Sequence, residues 1–124
     1  MTSAEILAVL IQFDTVSRNS NLELVTWVEK YLSDHGVASR RIPDETGGKA
    51  SLIATVGPED VPGYVLSGHT DVVPVDGQDW SSDPFSARLE GGLLYGRGAC
   101  DMKGYLACVL AAVPRMRSAS LAQP

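Results

Sequence analysis

Two apolar runs in this sequence each end in a turn that carries possible metal ligands. The first turn lies in Leu-Ser-Gly-His-Thr-Asp at residues 66–71, and the second in Gly-Arg-Gly-Ala-Cys-Asp-Met-Lys-Gly at residues 96–104. A fold that brings the two turns together places His69, Asp71 and Asp101 at one site. The pattern predicts a metal-dependent hydrolase, although three such groups are too few to complete its metal site.

The composition is typical of one soluble globular domain. The chain has 124 residues, of which 44% are hydrophobic and 20% charged, enough for a single core. The net charge of -5 argues against a nucleic-acid surface, since phosphate binding depends on clustered Lys and Arg. No apolar run approaches the roughly 20 residues of a membrane-spanning helix, so no membrane role is expected.

The termini and the thiols predict a cytoplasmic protein. Met1-Thr-Ser-Ala-Glu-Ile lacks the basic start and the cleavage site of a secretory signal. With only two cysteines, Cys100 and Cys108, a disulfide framework is not expected, and reduced thiols fit a cytosolic protein. Because Cys108 lies inside an apolar helical pattern, we expect it in the core.

Helical periodicity appears near both ends of the chain. A capping box at residues 2–5 predicts a first helix to about Phe13. A second capping box at residues 20–23 predicts another helix, which Gly36 ends. A third begins near Met102, and residues 115–124 show no period.

Period-two patterns between these helices predict strands. The predicted strands are residues 37–42, 51–56, 64–66, 87–89 and 93–95. The first two form a hairpin, the third is a buried strand that leads to His69, and Gly91-Gly92 forms a tight turn between the last two. The predicted fold class is α/β, with helices packed on a mixed β-sheet.

His69 and Asp71 have the residue types of a metal ligand and its orienting partner. Neutral imidazole binds a divalent metal through one nitrogen, and a carboxylate on the other nitrogen fixes the tautomer. The alternative is a strand-end histidine that hydrogen-bonds within its own turn, as most buried polar groups do. The other histidine, His35, lies in the last turn of a predicted helix and is interpreted as a capping residue.

Asp101 strengthens the metal interpretation. Gly96 and Gly98 allow a tight loop, and a carboxylate at the following helix N-terminus is stabilised as an anion. A carboxylate can also bridge two metal ions held roughly 3.5 to 4 Å apart. Taken alone, Asp101 would be interpreted as an ordinary helix N-cap, as most aspartates before helices are.

Three motifs together resemble the co-catalytic zinc amidohydrolases of the aminoacylase, carboxypeptidase and acetylornithine deacetylase family. They are Ser-Gly-His-Thr-Asp-Val-Val-Pro-Val at 67–75, Trp80 with Asp-Pro-Phe at 83–85, and Leu-Tyr-Gly-Arg-Gly-Ala-Cys-Asp-Met-Lys-Gly at 94–104. Within the family, residues 13–22 and 49–57 are most similar to the acetylornithine deacetylases. The resemblance runs from about Ile6 to Pro114.

The resemblance implies a set of roles. His69 ligates one metal, Asp71 is the catalytic residue that orients His69, and Asp101 bridges two divalent ions, zinc or cobalt. The substrate is a small N-acyl amino acid, and the expected reaction of the intact parent is deacetylation of N2-acetylornithine to ornithine and acetate in arginine biosynthesis. The alternatives are a succinyl-diaminopimelate desuccinylase, an acylamino-acid or dipeptide hydrolase, or an inert truncated product.

The sequence departs from the family pattern after the third motif. Family members continue into a strand ending in a Glu-Glu pair, followed by a further acidic ligand and a late histidine, and no histidine follows His69 here. The lid domain that forms the family's homodimer has no counterpart either. We therefore expect residues 1–124 to be the N-terminal portion of a zinc-exopeptidase-like catalytic domain, with an incomplete site and no activity alone.

Overall fold

Three helices and two small hairpins make up the protein, whose computed structural model describes residues 1–124. A wide π-type turn, Ala99–Lys103, leads into the last helix. The helices are α1 (Ser3–Gln12), α2 (Leu22–Asp34) and α3 (Gly104–Ser118), and the strands are β1 (Ser39–Pro43), β2 (Ala50–Ala54), β3 (Arg88–Glu90) and β4 (Leu93–Tyr95).

The core lies between the apolar faces of the three helices. Leu10 of α1, Leu24 of α2 and Ala107 of α3 are each at most 1% exposed, because apolar residues three or four positions apart share one face of a helix. The other members of this cluster are Ile6, Tyr31, Leu32, Val37, Leu110 and Val113.

The start of α1 confirms the first predicted capping box. The Thr2 hydroxyl accepts a hydrogen bond from the Glu5 amide at 3.2 Å, and the Glu5 carboxylate accepts one from the Thr2 amide at 2.7 Å. Two of the free amides of the first turn are thereby satisfied.

The second predicted capping box is wrong. The residue before α2 is Asn21, and Ser20 stands one position further out, where its hydroxyl accepts from the Leu22 amide. The Asn21 side chain is engaged elsewhere, because it pairs with both the amide and the carbonyl of Ala50 at 2.9 Å. This pair ties the start of α2 to β2.

The end of α2 follows the sequence prediction. Gly36 has a φ of 71°, the left-handed conformation that glycine adopts most easily after a helix. His35 is the C-cap residue of α2, and its Nδ1 lies 2.7 Å from the Tyr31 carbonyl oxygen. The structure therefore places His35 in the capping role predicted for it.

Helix α3 continues through Pro114 to Ser118, beyond the point where the sequence predicts an end of periodicity. A proline inside a helix leaves the carbonyl four residues earlier without its amide donor, and that carbonyl belongs to Leu110. The Tyr31 hydroxyl of α2 donates to it at 3.1 Å. A tertiary hydrogen bond thus replaces the one that Pro114 removes.

Both predicted hairpins are present, and the α/β class is confirmed. β1 pairs antiparallel with β2 through Ser39 and Ala54, and β3 pairs with β4 through Leu89 and Leu94. The two hairpins are separate two-stranded sheets. Parallel pairing occurs at a single bridge, between Val16 and Val72.

The prediction of a buried strand at residues 64–66 is wrong. Tyr64 is 82% and Val65 88% exposed, and no strand lies beside them to form a ladder. The backbone hydrogen bond of this stretch runs from the Tyr64 amide to the Pro124 carbonyl. The apolar run identified a segment suited to burial, but nothing in these 124 residues covers it.

One further prediction, that Cys108 lies in the core, concerns α3. Cys108 is exposed and so is not part of the core, because the buried face of α3 is formed by Ala107, Leu110 and Val113. None of the helices combines the length and the apolar character needed to cross a membrane.

Candidate functional site

The segment that carries His69 and Asp71 is attached to the turn after α1. Val72 bridges in parallel to Val16, the Val72 amide donates to the Thr15 carbonyl at 3.0 Å, and the Ser17 amide donates to the Val72 carbonyl at 3.1 Å. The Thr15 hydroxyl adds a bond of 2.6 Å to the Thr70 carbonyl. These bonds fix the backbone on both sides of Asp71.

Asp101 lies in the turn that precedes α3. Asp101 and Met102 have non-helical backbone angles within this turn, and the peptide bond between them is cis. The N-cap of α3 is Lys103, so the prediction that Asp101 stands at the helix N-terminus is wrong by two residues. Asp101 is therefore free of a capping role, and its side chain is 85% exposed.

Lys103 anchors this turn to the core. Its side chain is completely buried, its Nζ donates to the Phe13 carbonyl at 2.7 Å, and its amide donates to the Gly98 carbonyl at 2.9 Å. Burial lowers the pKa of the Lys103 ammonium to about 8, and the carboxylate of Asp14 acts in the opposite direction. Sequence reasoning missed this anchor, because a lysine in a polar motif gives no signal of burial.

The structure brings His69, Asp71 and Asp101 together. The His69 Nε2 lies 3.1 Å from Asp101 Oδ1. On the other side of the ring, Nδ1 lies 2.9 Å from the Asp71 carbonyl oxygen and 3.3 Å from Asp71 Oδ1. Since a carbonyl oxygen can only accept, Nδ1 carries a proton and Nε2 is directed at Asp101.

The charges around His69 favour its protonated form. Its pKa is raised, first by the hydrogen bond to the Asp71 carbonyl and then by the carboxylates of Asp101 and Asp71, while desolvation opposes them. The pKa of the Asp71 carboxyl is lowered, chiefly by the hydrogen bond from the Ser17 hydroxyl. An anionic Asp71 beside a positively polarised imidazole is the arrangement that holds a ring in one orientation.

These groups line an open cavity of about 290 Å³. The His69 and Asp71 side chains are 47% and 52% exposed, so a ligand in the cavity reaches them directly. Ser17, Arg97 and Cys100 also line the cavity.

Arg97 braces one wall of the cavity. Its guanidinium lies 5.1 Å from the centre of the Trp80 ring, and it donates to the Pro74 carbonyl at 3.3 Å and to the Gln78 side chain. The Arg97 amide donates to the Pro84 carbonyl at 2.6 Å. Arg97 thus connects the second motif to the loop that follows Asp71.

The donor set agrees with zinc or cobalt in type and falls short in number. Imidazole nitrogen and carboxylate oxygen are ligands that these ions accept, and His69 and Asp101 present one of each to the cavity. No three histidine, cysteine, aspartate or glutamate side chains are arranged to hold an ion. Catalytic zinc sites use about three protein ligands, so His69 and Asp101 alone do not complete one.

Known proteins are similar to this chain over most of its length. Residues 65–124 match the family model described as peptidase family M20/M25/M40. A succinyl-diaminopimelate desuccinylase of Rhodopseudomonas palustris (strain BisB5) is 47% identical over 90 residues, which are 69% of this chain and 23% of the relative.

Two acetylornithine deacetylases align over longer stretches. The enzyme of Proteus mirabilis (strain HI4320) is 37% identical over 112 residues, 90% of this chain and 29% of the relative. The enzyme of Pasteurella multocida (strain Pm70) is 40% identical over 106 residues, which are 85% of this chain and 28% of the relative. The chain spans about a quarter of the length of the curated relatives it matches.

The three residues that the structure brings together lie in the region that matches the family. His69, Asp71 and Asp101 all lie within the part matched by the family model, and the structure brings them to one cavity. The resemblance inferred from the sequence motifs is confirmed at the level of the family. Residues 65–124 are the part of the chain that matches peptidase family M20/M25/M40.

Proposed function

We propose that this chain is the N-terminal portion of the catalytic domain of a metal-dependent amidohydrolase that acts on small N-acyl amino acids. The observation that carries the proposal is the approach of His69 Nε2 to Asp101 Oδ1, 3.1 Å apart, at an open cavity lined mainly by residues of the region that matches the family. The relatives named deacetylase and desuccinylase support hydrolysis of an acyl amide.

The proposed roles follow from which atoms face the cavity. His69 and Asp101 would hold the metal, and the two oxygens of the Asp101 carboxylate would allow it to serve two ions. Asp71 orients His69 through Nδ1. A bound zinc or cobalt ion supplies Lewis-acid activation of the amide carbonyl and of water.

The remaining ligands are proposed to come from residues outside these 124. Two ligating side chains are fewer than a catalytic site uses, and the relatives are about four times as long as the matched part. The homodimer and the cytoplasmic location implied by the resemblance belong to that longer protein and stay predictions.

For the acyl group we propose acetyl, with N2-acetylornithine as the substrate and arginine biosynthesis as the pathway. Support comes from the two acetylornithine deacetylases, whose alignments cover 90% and 85% of this chain. Succinyl-diaminopimelate is the second candidate, because the desuccinylase has the higher identity, 47%, over a shorter stretch.

A chimera tests the proposal in a complete framework. Residues 6–114 of this chain replace the matching segment of the Proteus mirabilis deacetylase, and acetate or succinate release is measured with zinc or cobalt on both substrates. We expect metal-dependent acetate release, and Asp101→Asn should reduce turnover by more than about 100-fold. Asp60→Asn, which changes an exposed turn carboxylate, is the matched control and should leave turnover unchanged.

Two results would contradict this proposal. A folded chimera whose activity survives Asp101→Asn would remove Asp101 from the metal site. A faster reaction on the succinylated substrate would favour the second candidate.

The alternative that the 124-residue chain is inert is tested separately by titration calorimetry with zinc. Two donors predict weak binding, whereas submicromolar binding of two ions per chain would exclude the inert alternative.

A further inference from the structure

Ser17 makes a contact that the roles above do not include. Its hydroxyl donates to Asp71 Oδ2 at 2.6 Å, while the other oxygen of the same carboxylate, Oδ1, lies 3.3 Å from His69 Nδ1. The Ser17 hydroxyl thus holds the Asp71 carboxylate at Oδ2, while Oδ1 faces the imidazole, whose Nδ1 hydrogen bond goes to the Asp71 carbonyl oxygen. Hydroxyl bonds to a carboxylate of this length are among the stronger protein hydrogen bonds.

The backbone holds the Ser17 hydroxyl in place. The Ser17 amide donates to the Val72 carbonyl at 3.1 Å, and the ammonium of Lys49 donates to the Ser17 carbonyl. Val16, next to Ser17, is 1% exposed and bridges to Val72. The donor therefore sits on a segment with little freedom, whereas the Asp71 side chain is 52% exposed and could otherwise turn toward water.

We propose that Ser17 is a positioning residue for the metal site, which fixes the Asp71 carboxylate so that Asp71 in turn holds His69 with Nε2 facing the cavity. The role rests on the metal site proposed above. Outer partners of metal ligands alter metal affinity because they set the orientation and basicity of the ligand, and Ser17 acts on the ligand through Asp71. Loss of the hydroxyl frees the carboxylate to rotate without removing any ligand.

Thr15 provides a matched control. Its hydroxyl also bonds across to the segment of Asp71, at 2.6 Å, but it donates to the Thr70 carbonyl and not to the carboxylate. It is 2% exposed, so Thr15→Val removes a buried bond of the same kind. If Ser17 had a purely structural role, Ser17→Ala and Thr15→Val should have the same effect on the Asp71 side-chain rotamer.

The experiment combines two measurements on the 124-residue chain. Three-bond couplings of Asp71, measured by NMR without metal, report whether its side chain keeps one χ1 rotamer. Cobalt affinity, followed by absorbance, reports the metal site. We expect rotamer averaging and an affinity loss of about tenfold in Ser17→Ala, recovery of both in Ser17→Thr, and a single Asp71 rotamer in Thr15→Val, whose lost hydrogen bond goes to the backbone.

The outcomes separate the two proposals. A single Asp71 rotamer in Ser17→Ala, or averaging in Thr15→Val as well, would overturn the role of Ser17 and leave the metal site standing. If the unchanged chain bound no measurable cobalt, the couplings alone would decide whether Ser17 fixes Asp71, and the ligand roles would be decided by Asp101→Asn in the chimera. Should Ser17→Ala not fold, Ser17→Cys keeps the shape with a weaker donor, and the same comparison applies.

Discussion

The helical part of the molecule and the extended segment of residues 57–95 differ sharply in how they are held. The three helices surround a cluster of buried side chains, whereas Val72 is the one buried residue between 57 and 95. His69 and Asp71 belong to the extended segment, and Asp101 belongs to the turn before α3. The candidate site therefore lies where a well-packed region meets a sparsely packed one.

A few contacts at this junction set the geometry of the site. A Cβ added at Gly98 would lie 2.6 Å from Val72 Cγ1, so the Asp101 turn packs directly on the single buried residue of the extended segment. Lys103 ties the same turn to the carbonyl of Phe13 after α1. Val72, Gly98 and Lys103 thus connect the turn of Asp101 to the extended segment and to the helices.

Two leucines test the contrast between the regions, and the effect is the largest we predict. Leu10 is completely buried, whereas Leu66 is 54% exposed in the extended segment. Leu10→Ala should lower the free energy of unfolding by about 2–5 kcal/mol because it leaves a cavity, and Leu66→Ala by less than about 0.5 kcal/mol. Urea denaturation of both variants measures the difference, and comparable losses would show that the extended segment is packed in solution.

Two glycines test the junction and give the next largest effect. Gly98 and Gly92 have φ angles of 79° and 80°, but only Gly98 has neighbours where a side chain would go. Gly98→Ala should cost about 2–4 kcal/mol through backbone strain and the clash with Val72. Gly92→Ala carries the strain alone and should cost about 1–2 kcal/mol.

The difference between these glycine variants, again from urea denaturation, isolates the contact with Val72. Equal losses would mean that the Asp101 turn and the extended segment do not touch in solution. In the chimera, Gly98→Ala should also weaken metal binding, because it displaces Asp101 relative to His69.

The sequence predicted the features that neighbouring residues determine, and it failed where a feature depends on a residue remote in sequence. Local patterns sufficed for the capping box of α1, the Gly36 stop of α2 and both hairpins, because neighbouring residues determine them. Residues 64–66 have the composition of a buried strand, yet burial needs a partner that no local pattern supplies. The extension of α3 past Pro114 likewise depends on Tyr31, which is remote in sequence.

The sequence predicted the residues that face the cavity of the candidate site, but not the residues that hold them in place. His69, Asp71 and Asp101 stand out because their motifs are specific, and the structure brings them together. Ser17 and Lys103 act through a hydroxyl and an ammonium whose partners lie 54 and 90 positions away. The local sequence around a serine in a polar turn does not predict such a contact.

Two tyrosines give the smallest predicted effect and compare the regions once more. Tyr31 is 6% exposed and Tyr64 82%. Tyr31→Phe leaves the Leu110 carbonyl without its donor in α3 and should cost about 1–3 kcal/mol at neutral pH, whereas Tyr64→Phe should leave stability unchanged.

The Tyr31 phenol also makes stability depend on pH. Burial raises its pKa above the ordinary value of 10.0, so above that pH the unfolded chain loses the Tyr31 proton before the folded chain does. The unfolded state then binds fewer protons, and the free energy of unfolding falls as the pH rises from 10.0 through the folded pKa. We expect the difference in stability between the unchanged chain and Tyr31→Phe to shrink over this range, as measured by urea denaturation from neutral pH upward. A constant difference would show that the phenol is solvated and that α3 passes Pro114 without help from α2.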